Sequence, residues 1–187
     1  MRITGGTLRG RQVGCPPGEI RPTTDQLRES LFAILGDLTG CSFLDLFSGS
    51  GVTGLEAASR GAAPVFLVER DRGKAPILRQ NADLAPMIAR VMMASVERFL
   101  KRCPQPFDLV FLDPPFREEH KVELLKLATG PTVAAPGATV MLHLPARETV
   151  LEQVGGFQLV RYKRYGQSGL CLYSELVSAP GPASDSG

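Results

Sequence analysis

The chain has no tryptophan, only two histidines and only four cysteines in 187 residues, and these shortages close off several kinds of site. Cys15, Cys41, Cys103 and Cys171 form no close pair, and His120 and His143 stand apart from them. Zinc ligation and a disulfide framework both need paired or closely spaced ligands, so neither is supported and no metal is expected. Cys41 and Cys171 adjoin expected strands and read as small apolar residues, and His120 as a solvated residue at a helix start. No apolar run approaches the roughly 20 residues that span a bilayer. Arg2, Gly5 and Gly6 stand where a secretory signal would carry its hydrophobic segment. A cytoplasmic protein with no membrane contact is the expectation.

What is present is ordinary in bulk and unusual in detail. With 43% hydrophobic and 21% charged residues, the chain can bury one core of normal size, so a single main domain is expected. The net charge is only +2, but it is unevenly spread. Arg2, Arg9 and Arg11 have no acid among them, and Arg161, Lys163 and Arg164 cluster near the other end. Such runs are commonly solvated faces; they also suit a phosphate backbone.

Residues 1–20 carry short alternating segments broken by Gly5, Gly6 and Gly10, the pattern of a small basic β-hairpin extending from the main fold. Pro16-Pro17-Gly18 marks a turn, and Thr23 with Gln26 forms a capping-box pattern after Pro22, so a helix should begin there. Leu27, Leu31, Ile34, Leu35 and Leu38 share one face of it, with Arg28 and Glu29 off that stripe. Gly36 or Gly40 can end it.

From Phe43 onward, apolar runs alternate with helical patterns. Strands are expected near 42–47, 64–69, 88–93, 107–112 and 138–144, and helices near 51–60, 71–83, 95–102, 118–129 and 147–154. That alternation implies an α/β fold, a doubly wound parallel sheet with helices on both faces. The apolar runs 157–163 and 169–177 are joined by Tyr165-Gly166-Gln167-Ser168, too short for a helix, and should close the sheet as an antiparallel hairpin. The main domain then spans residues 21–177. Residues 178–187 have little apolar surface and are expected to lack fixed structure.

Two segments carry chemistry. Leu44-Asp45-Leu46 runs into Phe47-Ser48-Gly49-Ser50-Gly51, an apolar strand entering a glycine loop before a helix, as a nucleotide-type ligand requires. Gly49-Ser50-Gly51-Val52-Thr53-Gly54 also matches the dinucleotide fingerprint, and Glu69, 18 residues past Gly51, sits near the ribose position. Asp45 separates the cofactors. A dinucleotide places its pyrophosphate over the helix N-terminus, where a carboxylate adds unhelpful negative charge. S-adenosylmethionine has no phosphate and is cationic, so an acid there is tolerable or useful. A buried carboxylate in an apolar strand also needs a donor.

The second segment, Asp113-Pro114-Pro115-Phe116, ends the apolar run Phe107 to Leu112. An exocyclic base amine is a poor nucleophile because its lone pair is delocalised into the ring. A carboxylate and the Pro114 carbonyl can accept its two hydrogens and aim the lone pair at an electrophilic methyl. The prolines free that carbonyl and stiffen the turn. Phe116 can stack on a base extruded from its helix.

Taken with Arg2-Ile3, Gly5-Gly6, Arg9-Gly10-Arg11, Arg21-Pro22-Thr23-Thr24-Asp25, Arg28 to Phe32, Asp71, Asn81 and Lys163 to Gly166, these segments make the chain resemble the bacterial small-subunit ribosomal RNA guanine-N2 methyltransferases of the RsmD family. The resemblance covers nearly all residues from Arg2 to about Val177. It implies a Rossmann-like class I methyltransferase fold: a seven-stranded sheet in the order 3-2-1-4-5-7-6 with the seventh strand antiparallel, plus the small N-terminal hairpin. It implies S-adenosylmethionine held by Asp45, Phe47, Ser48, Gly49, Gly51, Glu69 and Arg70, with Ser95 and Val96 at the adenine end. Where the family commonly has an acid or amide after the third strand, this chain has Ala94-Ser95-Val96, and Ser95 can still accept a hydrogen bond. Asp113 to Phe116 would present guanine N2. Arg2, Arg9, Arg11, Arg21, Thr23, Arg28, Lys163 and Tyr165 would meet ribosomal RNA or an assembling small subunit, with the protein acting as a monomer. Two other readings stay open: methylation of another amine or amide, such as DNA adenine or protein glutamine, and an NAD-binding oxidoreductase.

Overall fold

A computed structural model describes residues 1–16 and 25–176. The expectations for Arg21, Thr23 and the tail at 178–187 lie outside the described residues. Helix α1 (Asp25–Leu35) is followed by β1 (Phe43–Leu46), α2 (Val52–Ser59), β2 (Val65–Glu69), α3 (Ala75–Ala82), β3 (Ala89–Met93), α4 (Val96–Leu100), β4 (Phe107–Leu112), α5 (Lys121–Ala128), β5 (Ala134–Pro145), β6 (Gln153–Val154), β7 (Phe157–Tyr165) and β8 (Ser168–Glu175). The strands make one sheet ordered β3-β2-β1-β4-β5-β8-β7-β6. The first five are parallel, and β8, β7 and β6 are antiparallel to their neighbours.

Alternation along β1 divides the core between the two faces. Leu44 and Leu46 pack with Phe99, Leu124 and Leu125 of α4 and α5. Phe43 joins Leu31, Leu55 and Leu78 of α1, α2 and α3 on the other side. With helices on both faces, the central strands are buried at every position of β1 and β2, as near-continuous apolar runs demand. Gly36, at φ 76°, ends α1 and donates to the Phe32 carbonyl at 3.0 Å.

The sheet departs from expectation at one edge: it has eight strands, not seven. The helix expected at 147–154 is absent, and its last two residues are the strand β6. Gly155-Gly156 makes a tight turn, with Gly155 at φ 57°, that sets Val154 opposite Phe157. A two-residue glycine turn favours a hairpin over helix continuation, and Val154 then buries with Phe157 in the core.

The N-terminal segment also differs from the expected projecting hairpin. Its ladder is a single antiparallel bridge between Arg2 and Gln12, and it lies against α2. Ile3 and Val13 are buried. Thr4 N, Thr4 Oγ1 and Gly5 N donate to the Glu56 carboxylate at 2.7, 2.7 and 2.8 Å. Thr7 N reaches the Ser59 carbonyl at 2.7 Å. Backbone donors that would otherwise be exposed are satisfied by the helix surface, which holds the segment down.

Candidate active site

Strands β1 and β4 are parallel neighbours with Leu46 opposite Leu112. The segments that follow them therefore leave the same edge of the sheet side by side. They line one cleft of about 530 Å³, to which Asp45, Phe47, Ser48, Gly49, Glu69, Arg70 and Asp113 to Phe116 all contribute. This is the position, beyond the carboxyl ends of central strands, where open α/β sheets bind ligands.

The loop after β1 turns through three left-handed residues, Phe47 (φ 64°), Gly49 (φ 57°) and Gly51 (φ 78°). Phe47 lacks the freedom of glycine, and holding it there costs on the order of 1 kcal/mol. A β-carbon added to Gly54 would lie 2.3 Å from Leu67 Cδ2, so this glycine is what lets α2 rest on β2. Asn81 secures the loop from α3, donating to the Ser50 and Gly14 carbonyls at 2.9 Å each.

Asp45 is 2% exposed. Its Oδ2 accepts from Gly54 N in the first turn of α2 at 3.0 Å, the donor that its burial requires. Its carboxyl is pushed up to about 8, chiefly by loss of water; the Gly54 hydrogen bond opposes this, and the charges of Asp113 and Glu69 add to it. Glu69, at the end of β2, organises the neighbouring backbone. Its Oε2 accepts from Gly49 N at 3.0 Å and its Oε1 from Arg70 N and Asp71 N at 2.8 Å each. Oε1 thus has both of its lone-pair sites engaged, and Oε2 has capacity for a further bond.

At the other wall, Pro114 is buried, Pro115 is exposed and Phe116 is half-buried. Lys121 Nζ donates to the Phe116 carbonyl at 2.9 Å, to the Glu118 carbonyl, and to Glu148 Oε1 at 3.0 Å, so the loop behind the motif is clamped. His143, on β5, meets Asp113: Nδ1 and Oδ1 are 2.7 Å apart. Its ring also stands edge-on to Phe116, with centroids 5.6 Å apart.

Not every anticipated residue gathers here. Ser95 Oγ accepts from Arg98 N at 3.3 Å and caps α4, while Val96 is buried with Phe99 in the core; neither lines the cleft. Arg28, anticipated at RNA, has no exposed surface. It donates to the Arg2 carbonyl and to Asp25 at 2.7 and 2.8 Å, and lies 3.4 Å from Glu56. A guanidinium sealed under the N-terminal segment is a structural tie, and its assignment to RNA is corrected accordingly. Arg2, Arg9 and Arg11 remain exposed. Lys163 Nζ and Tyr165 Oη both donate to Ser30 Oγ on α1, which joins the β7–β8 hairpin to that helix.

His143 and Lys121 were not anticipated as site residues. Lys121 has no local signal. His143 had one: the strand ending at Leu112 and the strand carrying His143 were both expected, and their adjacency puts His143 across from Asp113. Among the described residues no metal-binding cluster of His, Cys, Asp and Glu occurs, and no helix is long and apolar enough to cross a membrane.

The strand order, the glycine loop on β1 and the carboxylate motif on β4 define a Rossmann-like methyltransferase. Residues 1–174 match the family described as Conserved hypothetical protein 95, and the chain belongs to that family, the RsmD family. Ribosomal RNA small subunit methyltransferase D of Escherichia coli is 37% identical over 177 residues, spanning 92% of this chain and 89% of that protein. The solved structure of yhhF from Escherichia coli superposes with a TM-score of 0.84 at 37% identity, covering 94% of this chain and 97% of that one. A hypothetical protein of Thermus thermophilus gives a TM-score of 0.79 at 29% identity over 92% and 98% of the two chains.

Proposed function

We propose that this protein methylates the exocyclic N2 of a guanine in small-subunit ribosomal RNA, using S-adenosylmethionine. The observation that carries the reading is the single cleft shared by the acid-and-glycine loop of β1 and the Asp113 motif of β4, together with membership of a family whose Escherichia coli relative is named for small-subunit ribosomal RNA. The substrate is ribosomal RNA, free or in an assembling small subunit, met by a monomer in the cytoplasm.

The residues present suit this cofactor better than a dinucleotide. Asp45 Oδ2 occupies the first turn of α2 through Gly54 N, where a pyrophosphate would need the helix N-terminus for itself. Glu69, and Asp45 once it releases its proton to the bound cation, instead make the inner wall acidic, as an ammonium and a sulfonium favour. Asp45, Phe47 to Gly51, Glu69 and Arg70 would hold it. When bound, the group supplies an electrophilic methyl.

The chain's own residues do the rest. Asp113 and the Pro114 carbonyl accept the two hydrogens of the guanine amine, which draws the nitrogen toward tetrahedral geometry and directs its lone pair. Phe116 stacks on the extruded base. The proton lost from nitrogen after transfer passes to the Asp113 carboxylate and then to water.

The test is labelled methyl transfer to small ribosomal subunits that lack native modification, followed by nucleoside digestion and mass analysis. N2-methylguanosine from the wild type and none from Asp113→Ala, with S-adenosylhomocysteine binding retained, supports the reading. A methylated adenine or glutamine amide would overturn the assignment of substrate.

A further inference from the structure

We infer that His143 is a positioning residue for methyl transfer, holding both Asp113 and Phe116 in their working orientations; the inference rests on the function proposed above. The side chain is unusual on two counts. It is 8% exposed yet lines the cleft, and it touches both functional groups of the β4 motif: Asp113 Oδ1 through Nδ1 at 2.7 Å and the Phe116 ring edge-on, at an interplanar angle of 67°.

Its tautomer follows from the surroundings. Nε2 is buried with no hydrogen-bond partner among the described residues. An ionised carboxylate can only accept, so the hydrogen belongs on Nδ1, where it donates to Asp113 Oδ1 at 2.7 Å. That bond stops the carboxylate from turning about its Cβ–Cγ axis. Because the amine must be met by two acceptors at once, Asp113 and the Pro114 carbonyl, a rotated carboxylate would misalign the nitrogen lone pair. The edge-on contact limits Phe116 in the same way, so a single imidazole sets the acceptor and the stacking ring relative to one another. The location has a simple origin: β5 lies beside β4, with Leu142 opposite Leu112, so the next residue of each strand, His143 and Asp113, must meet.

The experiment compares His143→Leu, His143→Phe and His143→Asn with wild type. Leu removes both the donor and the ring, Phe keeps a ring without the donor, and Asn carries an amide nitrogen at the same remove from Cβ as Nδ1. Methyl transfer to unmodified small subunits is measured as kcat and KM, with S-adenosylhomocysteine affinity by calorimetry. The expected result is a kcat reduced roughly 30- to 100-fold in Leu and Phe, the scale of a misplaced reacting group, with cofactor affinity within about twofold of wild type, and recovery of most of that loss in Asn. A purely structural His143 would not be rescued by Asn. Leu within a few fold of wild type in kcat, or Asn as slow as Leu while melting normally, overturns the inference. Nitrogen NMR of the imidazole gives a readout independent of substrate: hydrogen on Nδ1, with a resonance displaced by Asp113→Asn, is expected, and a ring protonated only at Nε2 overturns the inference. If the wild type methylates no ribosomal guanine, the proposed function fails by itself and the NMR measurement still decides the His143–Asp113 bond.

Discussion

Asp45→Asn isolates the cost of the buried acid at the cofactor wall. In the folded protein the Asp45 carboxyl is pushed up to about 8, against about 3.9 in an unfolded chain. The folded state thus keeps a proton that the unfolded state surrenders above about pH 4. Stability of the cofactor-free protein must fall as pH rises between these values, by up to about 1.4 kcal/mol per pH unit. Asparagine has no proton to lose and keeps an oxygen acceptor for Gly54 N. Between about pH 5 and pH 8 the wild type should therefore lose roughly 3–4 kcal/mol relative to the variant. Urea denaturation of both proteins at several pH values, without cofactor, measures this difference directly. A cationic methyl donor should bind the wild type more tightly as pH rises toward about 8 and release a proton, and the variant should lose this dependence. Parallel stability curves for the two proteins across that pH range would refute the account of Asp45.

Glu56→Ala leaves buried Arg28 with only the exposed Asp25 carboxylate as a partner and strips acceptors from Thr4 and Gly5; a loss of about 3–5 kcal/mol in denaturant midpoint analysis is expected, and a loss below about 1 kcal/mol would contradict the tie. Arg9→Ala with Arg11→Ala should weaken RNA binding and lower the salt slope of the affinity by up to about two; titrations at several salt concentrations that give an unchanged slope would remove the N-terminal segment from the RNA surface. Lys121→Met unclamps the Phe116 loop; transfer should slow by roughly tenfold or more through misplacement of the stacking ring, with cofactor affinity kept, and unaltered transfer kinetics would contradict the clamp.

The parts of this protein that were legible from residue order are those whose causes are local. Periodicity placed β1 to β5, α2 to α5 and the β7–β8 hairpin, because alternation and helical spacing are properties of neighbouring residues. Asp45 and Asp113 stood out because a carboxylate inside or just past an apolar strand is costly to bury unless it meets donors. Where two local signals competed, the reading went wrong: Val150, Leu151 and Val154 suit a helix face, yet the Gly155-Gly156 turn carried the last of them into β6.

What the tertiary structure alone decided is which distant groups meet. Arg28 lies off the apolar stripe of α1 and was expected at RNA, yet it is buried because Glu56 on α2 and the Arg2 carbonyl converge on it. Ser95 and Val96 serve a helix cap and the core because of where α4 starts. His143 meets Asp113 because β5 lies beside β4 in register. The sequence by itself determined most of the elements, the glycine loop, the acid inside β1 and the acid just past β4. The sheet order then determined every partnership among them, since a hydrogen bond depends on positions in space that only packing sets.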